Sequence, residues 1–122
     1  MPARIVVVLD DPGIADQIAA AFADAAYDAM AFANPMTALD ALEKAERTDL
    51  LITSPNFAPG QPNGVALARM TRWRRPGLKV LFIGPDDVAK HTVGVGEFMP
   101  SEVTVPQVVE RAMQLLEPDN KN

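Results

Sequence analysis

Three short apolar runs constrain this chain more than anything else in it. They are Ile5-Val6-Val7-Val8-Leu9, Leu50-Leu51-Ile52 within Asp49 to Ser54, and Leu78 to Ile83. The first is unbroken and mostly β-branched, the pattern of a strand buried on both faces rather than one alternating between core and water. Such a strand belongs in the middle of a parallel sheet, and a parallel sheet needs helices to cover it. The intervening segments supply that period. Pro12 suits a first helical turn, and Ile14, Ile18, Phe22 and Ala25 recur at helical spacing behind it. Asn34-Pro35 starts a second helix with Leu39, Leu42 and Ala45 on its stripe. A third runs from about Val65 to Trp73 and is broken by Pro76-Gly77. Pro106 opens a last one, with Val108, Val109, Ala112, Met113 and Leu116 predicted to face inward.

Tyr27 to Phe32 and Gly96 to Met99 complete the strand set. Five alternations with short, right-handed connections predict an α/β fold with a doubly wound, five-stranded parallel sheet. The flavodoxin-like order 2-1-3-4-5, with helices on both faces, puts a crevice at the carboxyl ends of strands one and three. At 122 residues the chain reads as one module over 1–122, with a core from 4 to 117 and a polar tail from 118 to 122.

Composition narrows the functional classes. No cysteine is present, so disulfides and thiolate metal sites are excluded and a reducing compartment fits. The longest apolar run, Ile5 to Leu9, is too short to span a bilayer, and the first residues lack a signal-peptide layout. A cytoplasmic protein is expected. The net charge of −5 repels nucleic acid and anionic membrane, and neither is expected as a partner. Arg69, Arg72, Arg74, Arg75 and Lys79 around Trp73 are a local exception. They read either as cations completing a helix dipole or as a phosphate or partner patch. Trp73 is expected as a half-buried cap, Phe22 and Tyr27 as core residues, and His91 as an exposed residue without a second ligand nearby.

Taken together, Arg4 to Pro12, Ala26-Tyr27 to Ala38-Leu39, Asp49 to Ser54, Arg75 to Phe82, and Gly94-Val95-Gly96-Glu97-Phe98 resemble a response-regulator receiver domain of the chemotaxis-regulator type. The resemblance covers Arg4 to Leu116. It implies a third strand ending in the aspartate that accepts phosphate, and that position is Ser54. The strand-one acid positions fall on Leu9 and Asp10, with Asp11 next to them; a one-residue shift would make Asp10 and Asp11 the pair, and Pro12 argues against it. The hydroxyl position falls on Gly84, and the lysine-proline pair on Ser101-Glu102. A serine hydroxyl is not a nucleophile at neutral pH without an activating base. Two carboxylates without a third make a poor octahedral cage, and helix capping accounts for Asp10 and Asp11 as well.

The resemblance therefore implies a degenerate phosphoacceptor pocket (Leu9, Asp10, Asp11, Ser54, Gly84, Ser101) with no catalytic residue, no metal and no cofactor. Two departures concern shape. The loop from Ser54 to Gly64, stiffened by Pro55, Pro59 and Pro62, is longer than the family's, and the segment from Gly84 to Gly94 is shorter. The helix before strand five should accordingly be short or irregular.

The function this implies is an atypical receiver that binds a protein partner without phosphorylation and is not an enzyme. The partner would be a sensor kinase, a regulator or another signalling protein, with a homodimer also open. Candidate surfaces are the small residues of the first helix, above all Ala19, Ala20 and Ala23 beside Ala15 and Ala26, and the family's output side at Phe98, Val103 and the last helix. One alternative is a receiver regulated by phosphate or metal at a non-standard site. Another is a flavodoxin-like small-ligand binder, which Asp10 and Asp11 disfavour because they would repel a flavin phosphate.

Overall fold

The computed structural model describes residues 4–44, 47–57 and 63–117. Ala45, Pro59, Pro62 and the tail from 118 lie outside them. In chain order the elements are β1 (Arg4–Val8), α1 (Pro12–Asp24), β2 (Asp28–Phe32), α2 (Pro35–Lys44), β3 (Leu50–Thr53), α3 (Gly64–Arg74), β4 (Lys79–Gly84), a 3₁₀ segment (Asp86–Thr92), β5 (Glu97–Pro100) and α4 (Val105–Leu116). The strands form one parallel sheet in the order β2-β1-β3-β4-β5. Both the doubly wound architecture and the short, irregular helix before strand five agree with the sequence pattern.

The unbroken apolar run of β1 is explained by the two faces it serves. Ile5, Val7 and Leu9 point into a core shared with Ala15, Ile18 and Phe22 of α1 and Val108 and Ala112 of α4. Val6 and Val8 point the other way, to Ala38 and Leu42 of α2 and Leu67 and Ala68 of α3. A period of two thus fills two helix-covered layers from one strand. Phe22 is fully buried, which contributes roughly 1.5–3 kcal/mol relative to an exposed ring.

Helix ends follow local chemistry. Asp11 caps α1, Asn63 caps α3, and Thr104 caps α4 in a reciprocal box with Gln107. Pro106 is therefore the second helical residue of α4 rather than its opening one. At the other end of α1, the Tyr27 N–H donates to the Phe22 carbonyl (2.9 Å) and the Ala26 N–H to that of Ala23 (3.0 Å). Ala26 has φ 69°. This is a Schellman cap, completed by edge-to-face contact of the Phe22 and Tyr27 rings at 5.8 Å.

Two residues of the expected α1 stripe are not core residues. Ile14 is 38% exposed because it lines a cleft with Gln17, Ile83 and Val103 instead of entering the sheet layer. Ala25 is exposed because the helix has already ended there. The inward face runs through Ala15, Ile18 and Phe22. On α4, Val108 and Ala112 are buried and Val109 and Leu116 pack on the core margin, whereas Met113 lines a surface cleft beside Ala21. Arg111 of α4 grips Glu97 of β5 in a fork, with Nη2 donating to Oε1 at 2.6 Å and Nε to Oε2. These hydrogen bonds raise the guanidinium pKa above its ordinary value. No helix among the described residues is long and apolar enough to cross a membrane.

Candidate functional site

Val8 and Thr53 are register partners, so β1 and β3 deliver Leu9 and Ser54 side by side to the carboxyl edge of the sheet. The Ser54 N–H donates to the Val8 carbonyl (3.1 Å), which extends the β1–β3 pairing by one residue. Its hydroxyl accepts from the Asp10 N–H at 3.4 Å and is part of a residue only 7% exposed. The Thr53 hydroxyl in turn donates to the Ser54 carbonyl (3.1 Å). Ser54 is a satisfied hydroxyl in a backbone-lined position, with no imidazole or carboxylate side chain hydrogen-bonded to it among the described residues.

The two acids separate in role. Asp11 Oδ1 accepts from the N–H groups of Gly13 (3.0 Å) and Ile14 (3.2 Å), so its carboxylate is engaged in capping α1. Asp10 is exposed and makes no cap. Leu9 is 4% exposed and belongs to the α1–α4 core. Among the described residues no group of three or more His, Asp or Glu side chains is placed to hold a metal ion. A hard divalent cation is held by several oxygen donors around one point, and Asp10 and Asp11 are the carboxylates the strand-one end offers.

Pro55 closes the edge further. A Cβ added at Gly84 would lie 2.8 Å from Pro55 Cδ, so the ring fills the space that a side chain at 84 would need. A Cβ at Gly64 would come within 1.7 Å of the Ser54 carbonyl oxygen, and the Gly64 N–H donates to the Pro55 carbonyl at 2.9 Å. The first residue of α3 is thus seated on the exit of β3. Sequence reasoning treated Pro55 only as a stiffener of its loop. The signal for its packing role was its position directly after β3, opposite a glycine at the end of β4. Ser101 is exposed and lines the cleft that contains Ile14 and Val103, and Glu102 is exposed beside it.

Of the candidate partner residues, Ala19 is half-buried and Ala20 and Ala23 are exposed. Ala15 is buried in the core and Ala26 is exposed. Phe98 packs partly against the α2–α3 layer and Val103 against the α1–α4 layer. His91 is exposed, as its sequence setting suggested. Trp73 is not a half-buried cap. It is 87% exposed, because the buried stripe of α3 runs through Gly64, Leu67, Ala68 and Thr71, and position 73 falls about 200° around the helix from Thr71.

Solved structures superpose on this architecture over nearly its whole length. A response regulator receiver protein from Sinorhizobium medicae matches with TM-score 0.81 and 21% identity, over 94% of each chain. The fold is that of receiver domains. A CheY-like receiver domain protein from Methanospirillum hungatei matches with TM-score 0.82 and 19% identity, over 95% of this chain and 94% of that one. The receiver domain of the hybrid histidine kinase CckA matches with TM-score 0.76 and 25% identity, over 94% of this chain and all of that one, 100%. No protein-family model matches the sequence.

Proposed function

We propose that this chain is a receiver-fold signalling module that works by binding a protein partner, without phosphotransfer and without catalysing a reaction. The observation that carries this reading is the packing of Pro55 between Ser54 and Gly84, where a Cβ at 84 would meet the ring at 2.8 Å. In a phosphorylating receiver that edge needs a nucleophilic carboxylate, a cation and groups that hold phosphoryl oxygens. Here the corresponding positions are a satisfied serine, a core leucine, an exposed Asp10 beside the capping Asp11, and a glycine covered by proline. The fold's similarity to receiver domains, including one from a histidine kinase, supports signalling proteins as the class of partner.

The test is chemical. Incubation with acetyl phosphate and Mg²⁺ is expected to leave the intact mass unchanged, in the parent and in Ser54→Asp alike. A stoichiometric phosphate adduct labile to hydroxylamine on the parent would overturn the reading. An adduct on Ser54→Asp alone would mean that only the nucleophile is missing and that Pro55 leaves room for the phosphoryl group.

A further inference from the structure

α3 carries a surface that the packing of the fold does not use. From Leu50 to Pro85 the chain has five cations and no carboxylate, although the whole molecule has 16 acids against 11 cations. Met70 and Trp73 are 47% and 87% exposed and lie three residues apart, on one side of the helix. Arg69 and Arg74 flank them at i+4 spacing, and neither has an ion-pair partner among the described residues. Arg72 is partly engaged through the Leu78 carbonyl (3.2 Å). The side chains stand between two grooves. One, about 390 Å³, separates α3 from α2, where Leu39, Leu42 and a single carboxylate, Glu43, line it opposite the arginines. The other, about 570 Å³, runs between Trp73 and Val93, itself 76% exposed.

A lone exposed apolar residue needs no explanation, but this set has the composition of a recognition surface. Tryptophan, arginine and methionine are enriched at the centres of interfaces, and a tryptophan gives large contact area for little loss of freedom. The charge selects the occupant. A second copy docking through the same patch about a two-fold axis would set these arginines against one another. A partner segment with carboxylates beside an apolar stripe meets both the cations and the grooves.

We infer that the Met70–Trp73 face of α3 is the docking site for an acidic amphipathic helix of a partner protein, Trp73 entering between the partner's apolar residues while Arg69 and Arg74 pair with its carboxylates. The inference rests on the proposed partner-binding function and gives it a location. It moves that location away from the first helix, where the exposed Ala20 and Ala23 offer close approach but no selecting chemistry.

The sole tryptophan makes the test direct. The probe is a labelled synthetic helix with leucine at i, i+3, i+4 and i+7 and glutamate elsewhere, and the control replaces each glutamate by lysine. The acidic helix is expected to blue-shift Trp73 emission saturably. Its affinity should weaken between about 0.01 M and about 0.15 M ionic strength, as the screening length falls from about 30 Å to about 8 Å. Label anisotropy should show binding reduced at least about tenfold by Trp73→Ala and by Arg69→Glu with Arg74→Glu. Ala20→Glu should bind as the parent does.

Equal binding of the lysine helix, or an unchanged affinity in the arginine pair, would overturn the inference. Tighter binding of an oligo-dT strand would assign the surface to nucleic acid and overturn it too. So would concentration-dependent dimerisation in sedimentation that is abolished by Trp73→Arg. Each titration is repeated after acetyl phosphate treatment with the mass recorded. An adduct that forms while the peptide still binds would refute the phosphate-free function and leave the docking site standing. No adduct and no peptide binding would refute the docking site alone.

Discussion

The carboxyl edge of the sheet and the outer face of α3 are built on opposite plans, although one helix joins them. At the edge most of the groups assigned to the site are engaged internally, and Asp10 is the exposed exception. Ser54 holds the Asp10 amide, Asp11 caps α1, Leu9 is core, and Pro55 occupies the space over Gly84. On α3 the largest side chain and two arginines without an ion-pair partner among the described residues face solvent, with grooves on either side. The difference teaches where to look for function in a fold whose sheet edge is occupied by its own packing. Groups that satisfy one another hold structure, and groups left unsatisfied are available to a partner.

If the edge is closed by packing, it should be intolerant of added atoms while the α3 face is indifferent to lost ones. Gly64→Ala should have the largest effect, because its methyl meets a backbone oxygen that no side-chain rotation can move. A loss of about 3 kcal/mol or more is expected, or roughly 10 °C in melting temperature for a chain of this length. A melting temperature within a few degrees of the parent would show that α3 can back away from β3.

Gly84→Ser comes next, with an expected loss of about 1–3 kcal/mol by overpacking against Pro55. The sharper measurement is the cycle with Pro55→Ala. The double mutant should recover at least about 0.5 kcal/mol relative to additivity, and strict additivity would break the claim that the two residues share one space.

Trp73→Ala should alter stability by no more than about 0.5 kcal/mol, since the side chain is exposed and lies off the buried stripe. A larger loss in denaturant titration would return Trp73 to a structural role. Smallest of all is the response to Mg²⁺. A working site at tenfold excess over its dissociation constant would add about 1.4 kcal/mol, whereas Asp10 and a committed Asp11 should give a shift below about one degree. A saturable shift abolished by Asp10→Ala would restore a metal site to the edge.

The architecture was legible because its signals are redundant. β1, β3 and β4 are continuous apolar runs with helical spacing between them, and any one of these could have been misread without changing the order. The positions assigned to the edge were legible through resemblance, but their packing was not. That Pro55 lies on Gly84 is a contact between the ends of two strands, and no local pattern encodes it. The misread residues have different causes. Ala25 lies past the end of α1, Ile14 in its first turn lines a cleft, and Trp73 points away from the buried stripe of α3. Ala26, at φ 69°, carries no sequence mark of the left-handed cap it forms.

The 3₁₀ segment from Asp86 to Thr92 has a further consequence, for how the molecule opens. Its hydrogen-bond geometry is poorer than that of an α-helix, and most of its residues face water, so it should come undone more readily than the α-helices. Its last residue checks the opening. Thr92 is 2% exposed, its hydroxyl donates to the Ala89 carbonyl (2.7 Å), and its own carbonyl accepts from Val95 and Gly96 just before β5. Amide exchange should therefore run early through the segment and stop at that threonine, so that its fluctuations are not passed on to the strand beyond.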